Sequence, residues 1–219
     1  MLMKGSNMFQ MGGSESNWLR ILRGLAHIKA PLCLMQLVFS FMESGGGANG
    51  HRSLDSLELF AGKRAYTRAV LNDGRAGVAL DATYEAEDHE TMNFLSDKGF
   101  VLAAWLVCHL SLGGQLVAAP VCSTWVWICQ GTAKRTRALP LGDRSLECVR
   151  SGNEMVSKLM LLIYIAITRG LFFCIEQPKG SLMERHPRFL AMIKQFGWWR
   201  KYVEMQNYGG PTPKGSWLY

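Results

Sequence analysis

Four short apolar runs in this chain end in residues able to do chemistry. Leu54–Phe60 contains Glu58 and runs into the turn Phe60-Ala61-Gly62. Gly77-Val-Ala-Leu80 ends in Asp81, roughly 20 residues beyond that turn. Gln115–Pro120 leads into Pro120-Val121-Cys122-Ser123-Thr124, and Leu171–Ile175 leads into Glu176-Gln177-Pro178. A glycine turn after a strand lets backbone approach a ligand, and a carboxylate closing the next strand accepts hydrogen bonds from ribose hydroxyls. The first two runs therefore point to a nucleoside-bearing cofactor. Cys122 offers a thiolate nucleophile, and Glu176 a carboxyl group that could anchor a reacting ring. Both also have plain structural readings: the thiol as packing, the carboxylate as a cap or ion-pair partner.

A basic loop follows the cysteine, Gln130-Gly-Thr-Ala-Lys134-Arg135-Thr-Arg137. Cations beside Gly and Thr suit phosphate contacts, and Trp125 and Trp127 could stack on bases. A solvated loop and ordinary core tryptophans are the alternative. Arg185-His186-Pro-Arg188 is ambiguous in the same way, with His186 readable as a helix N-terminal residue. Asp143 and Arg144 could cap the next element or pair with each other.

The elements that must position these groups alternate. Strands are expected at Leu54–Phe60, Ala76–Leu80, Gln115–Pro120 and Leu171–Ile175, the second and fourth of them buried. Helices are expected at Tyr66–Asn72, Gly99–Leu112, Asn153–Thr168 and Pro187–Phe196. Arg169-Gly170 should close the third helix, while Tyr84–Asn93 and Val121–Arg150 read as irregular. Lys201–Met205 and Ser216–Tyr219 look like a closing hairpin. Short continuous apolar strands alternating with helices predict an α/β fold. The expected form is a Rossmann-like, mostly parallel sheet with helices on both faces and a C-terminal antiparallel hairpin. In such a sheet all four strand ends converge on one rim.

Residues 1–52 differ in composition. Ser44–Gly50 looks like a flexible linker, and Trp18–Phe41 reads as one or two short helices, loosely docked or poorly ordered. The α/β domain is expected over 53–219. The chain has 219 residues, 48% of them hydrophobic, enough for one such domain. A net charge of +7 permits a polyanionic partner without requiring one. Six cysteines without C-x-x-C pairs or zinc-type Cys/His spacing argue against a metal site and a disulfide framework. They suit an intracellular setting, nuclear or cytoplasmic. The apolar stretches are too short or too interrupted to span a bilayer. The low-complexity start and the stop inside an apparent strand suggest an incomplete or mis-bounded chain.

The constellation resembles class I S-adenosylmethionine-dependent methyltransferases, and within them the DNA cytosine-5 methyltransferases. Phe60-Ala61-Gly62 stands where that family has its Phe-x-Gly turn, and Asp81 where an acidic residue ends the second strand. Pro120-Val121-Cys122 stands at the Pro-Cys motif and Glu176-Gln177-Pro178 at the Glu-Asn-Val motif. The resemblance implies S-adenosylmethionine as cofactor, bound by Glu58, Phe60, Ala61, Gly62, Asp81 and Pro120. It implies Cys122 as nucleophile and Glu176 as the base-anchoring acid. Ser123, Lys134, Arg135, Arg137, Gln177 and Pro178 would face a DNA or RNA acceptor, whose base must leave a duplex to react. The chain departs from the family at Lys63-Arg64-Ala65, where further glycines would follow, and at Val121. The altered turn after Gly62 supports a second reading, a catalytically degenerate module that binds nucleic acid or serves as a scaffold.

Overall fold

Apolar runs bounded by glycine and polar turns form the strands of this chain, and longer stretches with helical periodicity form its helices. A computed structural model describes residues 17–27, 29–43, 54–84 and 89–219. The expected linker at Ser44–Gly50 lies outside the described residues. In chain order the elements are α1 (Asn17–His27), α2 (Leu32–Glu43), β1 (Leu54–Leu59), α3 (Ala65–Asn72), β2 (Gly77–Leu80), α4 (His89–Met92) and α5 (Asp97–His109). They continue with β3 (Leu110–Ala118), α6 (Gln130–Ala133), α7 (Glu147–Thr168), β4 (Phe172–Pro178), α8 (Pro187–Phe196), β5 (Lys201–Glu204) and β6 (Gly215–Leu218).

The sheet order is β2-β1-β3-β4-β6-β5. The first four strands are parallel, and β6 joins β4 antiparallel and pairs with β5. This is the α/β architecture expected, closing hairpin included. The chain leaves β1 toward β2 and returns on the other side as β3. The reversal of direction opens a crevice between the carboxyl ends of β1 and β3, where sheets of this type take their ligands.

One sheet face carries Leu57, Leu59, Leu116, Ala118 and Ile175, all at most 1% exposed. They share one core with α5 and α7, whose residues Val107, Leu159 and Ile163 are fully buried. The opposite face carries Ser56, Glu58 and Gly77, and α3 packs there through Thr67 and Val70.

Several expectations change. The segment before β1 is not loosely attached where it is described. Ile21, Leu25, Leu34 and Val38 are 0–2% exposed and belong to the same core as the sheet. Burying an aliphatic side chain of this kind contributes about 1.5–3 kcal/mol, so these helices hold their place by packing. Neither β2 nor β4 is buried throughout: β2 is an edge strand, and Phe172 at the start of β4 is 67% exposed. Residues 89–92 are helical rather than loop. α5 stops at His109 because Leu110 is already extended and begins β3. α7 starts at Glu147 rather than at Asn153. Asn153 caps nothing; its amide donates to the Leu141 carbonyl (3.0 Å) and accepts from Arg135 (2.7 Å).

Candidate functional site

The turn leaving β1 is tightly wound. Phe60, Gly62 and Arg64 all have left-handed backbone, at φ 59°, 48° and 56°. Only glycine adopts that conformation without a Cβ penalty, and a Cβ at Gly62 would meet no described residue within 4 Å. Phe60 bears the strain with its ring edge-on to Phe94, centroids 5.1 Å apart. Ala61 is buried and donates its N–H to Leu80 O (3.3 Å). The Gly62 N–H donates to Asp81 Oδ2 (2.8 Å), while Asp81 Oδ1 accepts from the Thr83 N–H (2.8 Å) and hydroxyl (2.6 Å). Burial opposes the Asp81 charge, but the bonds from Thr83 and Gly62 outweigh it and hold the carboxyl below its ordinary range. Beside them, the Arg64 guanidinium lies 3.8 Å from the Tyr84 ring centroid.

Glu58 faces α3. Its Oε2 accepts from the Thr67 N–H (2.8 Å) and hydroxyl (2.6 Å), which braces β1 against that helix. Pro120 is buried beyond β3, and its carbonyl accepts from the Gln177 side-chain amide (2.8 Å). The Gln177 oxygen accepts from the Ser181 hydroxyl (2.9 Å). Gln177 is 1% exposed, so it ties the ends of β3 and β4 together instead of facing an acceptor strand. Pro178 pairs with Ser216 as the last residue of β4, so it does not turn the chain away there.

Cys122 and Glu176 lie within electrostatic reach of each other. Burial raises the Cys122 thiol above its ordinary value; the Lys214 ammonium works against that rise and the Glu176 carboxylate adds to it. Glu176 Oε1 accepts from the Ser216 hydroxyl and lies 3.4 Å from Lys214 Nζ. Ala119 N–H donates to Leu59 O (3.2 Å), which places the cysteine turn on the same rim as the Gly62–Asp81 turn. Ser123 is exposed beside Cys122.

The basic loop divides. Arg135 is fully buried, with its guanidinium 3.5 Å from the centroid of the equally buried Trp125 ring. It donates to Pro140 O, Asn153 Oδ1, Thr124 Oγ1 and Val149 O. Neither Arg135 nor Trp125 can meet a phosphate or a base from these positions; both knit the loop to α7. Lys134 is exposed and pairs with Asp143 (2.7 Å). Asp143 also accepts from Ser145 N–H (3.0 Å), so it does not pair with Arg144. Arg137 is exposed, and Trp127 is 72% exposed. His186 is buried, and its Nδ1 accepts from the Arg188 N–H (3.3 Å) at the start of α8.

Lys214, Ser216 and Thr83 are the site residues that sequence reasoning missed. The first two arrive on the final hairpin, far from Glu176 in sequence, with no local signal. Thr83 was legible: a threonine two residues after a strand-ending aspartate makes an Asx-type turn. Among the described residues no cluster of three or more His, Cys, Asp or Glu could hold a metal. No described helix is long and apolar enough to cross a membrane. No protein-family model, curated protein or solved structure matches this chain.

Proposed function

We propose that the chain is a methyltransferase-like domain that binds S-adenosylmethionine at the β1–β3 crevice and methylates cytosine in nucleic acid. The observation that carries this reading is the bond from Gly62 N–H to Asp81 Oδ2 on the rim that also bears Cys122 and Glu176. The residues present fit a nucleoside cofactor. No described residue comes within 4 Å of a Cβ placed on Gly62, and Asp81 Oδ2 accepts one bond from the described residues and keeps a lone pair for a ribose hydroxyl. When bound, the cofactor supplies an electrophilic methyl group.

Cys122 would add through Sγ to C6 of the ring, which makes C5 nucleophilic toward that methyl. Loss of the C5 proton and expulsion of the thiolate then restore the aromatic ring. Glu176 would hold N3 and the amino group and ease the charge build-up. Lys214 promotes the thiolate, its charge acting against the burial that disfavours it.

A second reading, a module that binds without catalysing, is favoured by the raised Cys122 thiol and by the three bonds already made to Asp81. Calorimetry with S-adenosylmethionine and the Asp81→Ala variant tests the cofactor site. Micromolar binding lost in the variant supports it; no binding by folded wild type removes it. A 5-fluorocytosine oligonucleotide should then trap Cys122 covalently, and no adduct under turnover conditions leaves the binding module as the reading.

A further inference from the structure

A cleft of about 460 Å³ opens among the loop after β4, the basic loop and the hairpin. Arg137, Lys179, Arg185 and Arg200 line it, with Glu184 the one acidic residue among the described residues there and Trp217 in its wall. Trp217 pairs with Gln177 and Tyr202 across the antiparallel strands, so its ring is on the opposite sheet face from Ser216 and Glu176. None of Cys122, Glu176 and Lys214 lines the cleft.

Its charge is mostly unspent. Glu184 binds Arg200, lies 3.8 Å from Arg185, and accepts from the Tyr219 hydroxyl (2.9 Å). Arg200 sits 4.2 Å from the centroid of the Trp217 ring, which fixes its fork while leaving further N–H donors available. Among the described residues Arg137 and Lys179 have no ion-pair partner, although Lys179 leans toward the Tyr202 ring at 5.1 Å. Gly180 also lines the cleft, and its N–H has no backbone acceptor among the described residues. Four cations against one carboxylate, guanidinium forks among them, make a receptor for an oxyanion. Trp127 packs against Gly180, where a Cβ would come 3.3 Å from its ring, and its exposed face offers a surface for a planar base.

We infer that this cleft binds the phosphate of a nucleotide, free or within a single strand, with the base against Trp127. The inference holds whether or not the chain transfers a methyl group. The test uses the full chain and a fluorescein-labelled single-stranded oligonucleotide, read by anisotropy across a salt series. Unlabelled nucleoside monophosphate and inorganic pyrophosphate serve as competitors. With three unneutralised cations engaged, log K should fall against log salt with a slope of about −2. Arg137→Gln with Lys179→Gln, both at exposed positions, should weaken binding about tenfold or more and flatten the slope to about −0.7. Lys134→Gln, outside the cleft, should change little. Competition by the small phosphates assigns the site to a free nucleotide; binding of the oligonucleotide without competition assigns it to a strand. No binding of any phosphate probe, or equal weakening by Lys134→Gln, overturns the assignment. Calorimetry with S-adenosylmethionine on the same variants keeps the outcome apart from that of the methyl-transfer reading.

Discussion

Gly62 donates its backbone N–H to the Asp81 carboxylate at 2.8 Å, joining the turn after β1 to the end of β2 across 19 residues of chain. The carboxylate anticipated for a ribose is thus also a structural clamp on the turn beside it. Asp81→Ala removes this bond and both bonds from Thr83. It should cost about 1–3 kcal/mol in urea denaturation besides weakening any nucleoside ligand. The folded carboxyl titrates below its ordinary value of 3.8, so the native state binds fewer protons in acid than the unfolded chain. Its contribution is complete above that value and fades as the pH falls through the lower folded one. In Asp81→Ala this part of the acid sensitivity should be missing.

His186 should make the protein sensitive to mild acid. Burial, then the charges of Arg188 and Arg135, push its imidazole from 6.5 down to about 4. Between those values the unfolded chain carries a proton that the folded one refuses, so stability falls as the pH drops from about 6.5 to about 4. The loss is on the order of 3 kcal/mol. Urea midpoints measured over this window should decline in wild type and stay flatter in His186→Asn, which retains a capping side chain.

Arg135→Ala should be among the most damaging single changes. It leaves the carbonyls of Pro140 and Val149 and the Asn153 side chain without their donor, and opens a void against Trp125. A loss of about 3–5 kcal/mol is expected in chemical denaturation. Arg135→Lys should recover only part of it, because an ammonium cannot reproduce the planar fork.

Lys214 and Glu176 should tune the Cys122 thiol in opposite directions. At neutral pH, alkylation of Cys122 should be slower than that of the exposed Cys148. Lys214→Gln should slow it further, by removing the charge that favours thiolate. Glu176→Gln should speed it, by removing the charge that opposes thiolate. Peptide mass spectrometry after timed iodoacetamide treatment reads all three rates.

Gly24→Ala tests whether α1 is truly docked. Alanine favours an isolated helix over glycine by about 1 kcal/mol. A Cβ at this position, however, would lie 1.5 Å from the Tyr164 hydroxyl oxygen on α7. The substitution should therefore destabilise the protein, by about 1–3 kcal/mol in thermal or urea unfolding. A gain in stability would mean that α1 does not pack there.

The sequence by itself determined the strand–helix alternation, the closing hairpin and the four strand ends. Each depends on short-range pattern: apolar runs of strand length, glycine at turns, a proline and a histidine opening α8. Helix ends at chain-local caps were legible, as at Arg169-Gly170. The start of α7 was not, because Asn153 spends its side chain on Arg135 and Leu141. Only the tertiary structure decided which basic residues face solvent. Lys134, Arg135 and Arg137 are neighbours in one loop, yet one pairs with Asp143, one is enclosed against Trp125 and one lines an open cleft. It likewise decided that Gln177 binds strand ends together and that Lys214 stands beside Glu176. These are contacts between groups far apart in sequence. Local pattern sets which element a residue joins, but only the packing of elements sets what its side chain meets.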